Sequence, residues 1–218
     1  MREKYNSQLR ELNENLISMG TMCVDCIKYA MQALLKDKEE MAQRAIQLEK
    51  DIDQKEREIQ SLCMKLILKQ QPVAGDLRTI NAALKMVTDM ERIGDQGSDI
   101  AEITRTVDLT KSKKNVHIAE MADTVITMVT DAVESFVEQN EQLALAVQKQ
   151  DDVVDELFHN SKKELLDMIC GGIQHSPDLG EEALETLLIA KYLERIGDHT
   201  VNITEWVLYE IDPEKYEK

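Results

Sequence analysis

Glu91-Arg92-Ile93-Gly94-Asp95 recurs residue for residue as Glu194-Arg195-Ile196-Gly197-Asp198, 103 positions later. The likeness continues, since Asp99, Ile100 and Glu102 in the first copy are answered by Asn202, Ile203 and Glu205 in the second. The chain is therefore a duplication, and the duplicated part is acidic. On a helix at about 100° per residue, Glu91, Asp95, Asp99 and Glu102 fall within an arc of roughly 80°. Stacked like charges cost an isolated helix a few tenths of a kcal/mol per pair. At an effective dielectric of about 20, two charges about 6 Å apart repel by about 3 kcal/mol. Something cationic is expected on that face.

Working outward, the residues before each copy carry a three-and-four apolar spacing. Leu9, Leu12, Leu16, Met19, Cys23, Cys26, Ala30 and Ala33 keep it without a break, which predicts a first long helix. Both sulfurs of Cys23-Val24-Asp25-Cys26 lie on that stripe and read as buried small hydrophobes, not as a redox pair or half a zinc site. Asp37 followed by Glu40 resembles a capping box for a second helix, with Leu48, Ile52, Ile59, Leu62 and Leu66 on its apolar face. Pro72 marks a turn, and a third helix carries Ile80, Leu84, Val87, Met90 and Ile93 to about Val107. The Lys111 to Asn115 segment reads as a linker.

The second half repeats the plan. Ile118, Met121, Val125, Met128, Ala132 and Phe136 form a heptad stripe, and Asn140 stands as the cap of helix five. Gly171-Gly172 ends that helix, and Ser176-Pro177 opens helix six, which runs to about Tyr209. No segment alternates as a strand does. Aromatic residues make up 4% of the chain and the methionines number 11, which suits helical cores filled by flexible side chains. The expected fold is all-α, two pseudo-symmetric antiparallel three-helix bundles, residues 1–110 and 111–218.

With 42 Asp plus Glu against 26 Lys plus Arg, the formal charge is -16. A nucleic acid or an anionic membrane surface is thus not an expected partner. No stretch approaches the roughly 18 apolar residues of a membrane span, and the first residues lack a signal peptide's apolar core. A cytoplasmic protein is expected, and the cysteines, 4 in all, read as free thiols.

Two more acidic pairs at four-residue spacing lie on helix two, Glu49 and Asp53, and on helix five, Asp151 and Asp155. In an antiparallel hairpin, facing residues are equidistant from the turn, and Pro72 lies midway between positions 51 and 93. Glu49 and Asp53 should therefore lie level with Glu91 and Asp95. The same reasoning about the Gly171 to Pro177 turn sets Asp151 and Asp155 level with Glu194 and Asp198. Asp99 in one half and Asn202 in the other extend each patch.

Oxygen-only clusters suit hard cations, with iron the first expectation and manganese, magnesium or calcium as alternatives. Zinc is less favoured without His or Cys. The competing reading makes these acids the solvated faces of amphipathic helices, as any single pair would be. Fourfold recurrence, level placement and a glycine kept inside both helices, at a cost of about 1 kcal/mol each, favour the metal. Glu156-Leu157-Phe158-His159 matches one Glu-x-x-His element of di-iron carboxylate bundles, but such sites need two copies. His199 reads better as a partly exposed histidine than as a ligand.

Gln71-Pro72-Val73-Ala74-Gly75-Asp76-Leu77-Arg78, taken with both Glu-Arg-Ile-Gly-Asp copies, resembles the PhoU family of bacterial phosphate-transport regulators along nearly the whole chain. The resemblance implies two similar three-helix bundles. It also implies multinuclear metal clusters on Glu49 and Asp53, Glu91 and Asp95, Asp151 and Asp155, and Glu194 and Asp198. It further implies a non-enzymatic role, negative regulation of phosphate uptake and of the phosphate-starvation response, through a phosphate ABC transporter and a sensor histidine kinase. A homodimer is the expected assembly. The other functions open to this chain are an iron-binding oxidoreductase or storage protein using the same carboxylates, and a metal-free helical interaction protein.

Overall fold

A computed structural model describes residues 2–70, 73–107, 109, 117–171 and 177–216. These form α1 (Arg2–Lys36), α2 (Glu39–Gln70), α3 (Ala74–Thr106), α4 (Ile118–Glu138), α5 (Glu141–Gly171) and α6 (Pro177–Ile211), with no strand among the described residues. The expected Pro72 turn, the Lys111 to Asn115 linker, Ser176 and most of the turn between Gly171 and Pro177 lie outside the described residues.

The apolar stripes bury as their spacing requires. Leu12, Leu16, Met19, Cys23, Cys26, Ala30 and Ala33 of α1 are buried, as are Ile118, Met121, Val125, Met128, Ala132 and Phe136 of α4. The sulfurs of Cys23 and Cys26 act as buried weak donors, Cys23 Sγ lying 3.2 Å from the Met90 carbonyl and Cys26 Sγ 3.7 Å from that of Gly94. Burial pushes the Cys26 thiol up to about 12, so it stays protonated. Met19, Met86, Met90, Met121 and Met128 fill the core between helices.

One expected boundary signal is corrected. Asp37 does not stand at the N-cap position of α2, whose first residue is Glu39; its φ of 52° places it in the left-handed region, ending α1. Its structural counterpart is Gln139, with φ 54°, after α4. Asn140 does cap α5, accepting the Leu143 N–H on its side-chain oxygen at 3.1 Å. The two halves are therefore offset by 102 residues through α2 and α5, and by 103 only from α3 and α6 onward.

Helices α1, α3, α6 and α4 form a ring, each packed on the next, with α2 laid on α1 and α3 and α5 on α4 and α6. Along the α3–α6 seam the contacts interchange between the halves. Asp89 of α3 meets Asn202 of α6, while Asp99 of α3 accepts a hydrogen bond from Tyr192 of α6. Asp89 corresponds to Tyr192 in the repeat and Asp99 to Asn202. Lys85 over the Trp206 ring, 5.8 Å from its centroid, obeys the same antiparallel register.

Candidate metal centre

Four-residue spacing on α2 projects Glu49 and Asp53 from one face, and α3 turns Glu91 and Asp95 toward them. What lets the two helices close is Gly94. A Cβ there would meet Ile52 Cδ1 at 2.9 Å and Cγ2 at 3.1 Å, so any side chain would prise α2 from α3 at the level of the acids. Glu49, Asp53 and Asp95 each place one carboxylate oxygen within 4.8 Å of the others. Glu91 lies beside this trio and feels Asp95, Glu56 and Asp53 as like charges.

The electrostatics are those of a patch with too little positive charge. Burial first, then Asp95, pushes Glu91 up to about 6. Burial, then Asp53 and Asp95, also raises Glu49. Arg92 supplies part of the balance, with its guanidinium 2.9 Å from Asp95 Oδ2 and 3.3 Å from Glu91 Oε2. Arg57 reaches Asp53 at 3.6 Å. Both arginines are exposed and can swing out to make way for an ion.

In the second half, α5 supplies Asp151 and Asp155 and α6 supplies Glu194 and Asp198. Asp151 is pushed up to about 6, by burial first and then by Asp155, Asp198 and Glu194. Its Oδ1 is buried without a hydrogen-bond partner among the described residues. The space for that oxygen comes from Gly197, whose Cβ would stand 2.6 Å from it. Lys191 is ion-paired to Glu194. Among the described residues, only the first patch brings three ligand oxygens within mutual 4.8 Å reach. An orphaned carboxylate oxygen in a glycine-cleared space, set among three further acids, fits a hard cation with oxygen ligands.

The remaining two candidates turn toward the α3–α6 seam. Asp99 accepts from Tyr192 and is raised by burial, Asp95 and Glu102. Asn202 donates its amide to Asp89 Oδ1 at 3.3 Å. Sequence reasoning missed this junction. His199 is half-buried, with Nδ1 2.9 Å from Asp89 Oδ1, and Gln96, its counterpart in the first repeat, is buried nearby in sequence on α3. The available signal was the repeat itself, which pairs Asp89 with Tyr192 and Gln96 with His199. His159 is exposed, and His117 sits between Glu120 and Glu164 at the surface.

The PhoU domain family matches residues 16–104 and 118–207, one domain in each half. The chain is 37% identical over 210 residues to a phosphate-specific transport system accessory protein PhoU homolog of Clostridium acetobutylicum, covering 95% of this chain and 94% of that one. It is 36% identical over 195 residues to the protein of the same description from Aquifex aeolicus, covering 88% and 86%. Among solved structures, PhoU from Pseudomonas aeruginosa superposes with a TM-score of 0.88 at 29% identity, covering 96% of this chain and 99% of that one. The phosphate transport system regulatory protein PhoU from Streptococcus pneumoniae shares the fold, with a TM-score of 0.85 at 23% identity over 96% and 98% of the two chains.

Proposed function

This chain belongs to the PhoU family, and from that premise we propose that it is a regulatory adaptor accessory to phosphate transport, which represses uptake and the phosphate-starvation response when phosphate is ample. The partners are a phosphate ABC transporter and a sensor histidine kinase, met from the cytoplasm, and the working assembly is a homodimer. No helix of the described residues is long and apolar enough to cross a membrane, so the adaptor reaches the transporter by docking.

The observation that supports a metal-dependent adaptor most directly is the Glu49, Asp53 and Asp95 trio, with Glu91 beside it. A hard cation, iron first among the candidates, would supply positive charge and oxygen coordination there. Glu49 and Asp53 would hold it from α2 and Glu91 and Asp95 from α3. Asp151, Asp155, Glu194 and Asp198 would do the same for α5 and α6. Gly94 lets α2 and α3 close at the level of the acids, and Gly197 leaves room for the Asp151 carboxylate.

Elemental analysis tests the site: Asp95→Ala with Asp198→Ala should lower bound metal sharply while leaving the helical circular dichroism unchanged. Unaltered metal content would place any ion elsewhere. For the pathway, deleting the protein should derepress phosphate-starvation genes in phosphate-rich medium only while the sensor kinase is intact. Derepression without the kinase, specific DNA binding, or ferrous-iron oxidation with turnover would sink the adaptor reading.

A further inference from the structure

Opposite the α3–α6 seam, the helical ring closes along α1 and α4, and neither α2 nor α5 bridges that pair. An apolar groove runs along it. One cavity of about 440 Å³ opens between Ile17 and Lys28 of α1, and a second of about 220 Å³ continues from Lys28 to Lys36. At about 1.5 Å per residue the two together extend about 28 Å, some five helical turns.

The sequence marks this groove independently. α1 carries Ile17, Val24 and Met31 at intervals of seven, with Leu35 one turn later, and Val24 and Met31 are buried in the floor of the groove. Ile17 and Leu35, at the two ends, are 45% and 40% exposed. Along the facing helix, Ile126, Val133 and Val137 line the same groove. Gly20 sets its depth, since a Cβ there would meet Val133 Cγ2 at 2.7 Å, so α1 and α4 touch beneath the open side. A heptad stripe facing a furrow that none of the described helices fills has the geometry that receives an additional helix.

Charge distinguishes the occupants. Asp25, Glu134 and Glu138 border the larger cavity, with Lys28 where the cavities meet. The same face of a second copy would set Asp25, Glu134 and Glu138 against their own counterparts, whereas a cationic segment is drawn to this rim. We propose that the α1–α4 groove docks one amphipathic helix of a partner protein, with apolar residues at three-and-four spacing and cationic residues facing Asp25, Glu134 and Glu138. This surface goes beyond the proposed metal-dependent role and uses none of its ligands.

The test uses a fluorescein-labelled synthetic helix of about five turns, with leucines at three-and-four spacing, arginines flanking them near one end and glutamines elsewhere, titrated by anisotropy against the full chain. Saturable binding is expected. Glu134→Lys with Glu138→Lys should weaken it about tenfold or more and strengthen binding of a sister peptide carrying Glu for Arg. Thr130→Trp, or Thr21→Trp should the first disturb the circular dichroism, fills the groove and should abolish binding of both peptides. No binding by the wild-type chain, or equal affinity in every variant, overturns the proposal. Self-association lost on Thr130→Trp would overturn it too, by giving the groove to a second copy.

Discussion

Asp89 and His199 stand 110 positions apart in the chain and 2.9 Å apart in space, carboxylate Oδ1 to imidazole Nδ1. The same oxygen takes the Asn202 amide, so one carboxylate on α3 holds two consecutive turns of α6. Removing the acceptor leaves both groups half-buried and unanswered. Asp89→Ala should cost about 1–3 kcal/mol, and Asn202→Ala less, because Asp89 then keeps His199. Urea titrations of both variants and their double mutant measure this, and additive losses would show that the three residues do not act as a unit.

Stability of the metal-free protein should depend on pH through Asp151 and Glu91. Each is held at about 6, against ordinary values of 3.8 and 4.5, so the folded state binds their protons more tightly than the unfolded state does. Stability from these groups therefore falls as pH rises from the ordinary carboxylate range through about 6, then levels. Solvent on the open side of each patch tempers the effect. Thermal midpoints of chelator-treated protein between pH 5 and 7 should decline, and Asp151→Asn with Glu91→Gln should flatten the decline. An identical slope in the double variant would assign the dependence to other groups.

The two repeated glycines should respond differently to the same substitution. Gly94→Ala forces a methyl onto buried, β-branched Ile52 and should destabilise by about 1–3 kcal/mol, outweighing the gain of about 1 kcal/mol in helix propensity. Gly197→Ala meets only the Asp151 carboxylate, which can turn away. Its expected result is little lost stability but weakened metal uptake by the second patch. Urea midpoints and metal stoichiometry measured on both variants separate these outcomes, and equal loss of stability in the two would refute the distinction.

Arg92 competes with any cation for Asp95 and Glu91. Arg92→Ala should raise the affinity of the first patch for a divalent ion severalfold, since an exposed ion pair worth up to about 1 kcal/mol no longer has to open. Lys191→Ala should do likewise for the second patch, where the competing pair is with Glu194. Calorimetric titration of the chelator-treated variants reads the change. Weaker binding in either would mean that the cationic side chain helps to seat the ion.

What the sequence disclosed and what it hid follow from the range of the forces involved. Helix identity is written in local spacing, so the stripe from Leu9 to Ala33 and that from Ile118 to Phe136 were readable, as was the burial of Cys23 and Cys26. Hairpins transmit register from a turn to distant residues, so Glu49, Asp53 and Asp95 could be placed together before any coordinate was known. Asp37 misled because the same short polar residue serves both as an N-cap and in the left-handed position, and backbone geometry alone decides between them. The seam of Asp89 with His199 and Asn202 lay beyond periodicity, since it depends on how one half meets the other.

That seam also bears on how the two halves are joined. Contacts that map onto themselves when the halves are exchanged, Asp89 with Asn202 and Asp99 with Tyr192, are the mark of an isologous interface, the kind that joins two identical subunits. The geometry is that of a two-fold dimer interface carried within one chain. Carrying both halves on one chain makes their meeting an event within a molecule, at an effective concentration in about the millimolar range, so the junction does not depend on cellular abundance. It also releases the copies from identity, and the place where aspartate stands at position 99 and asparagine at 202 records the use made of that freedom.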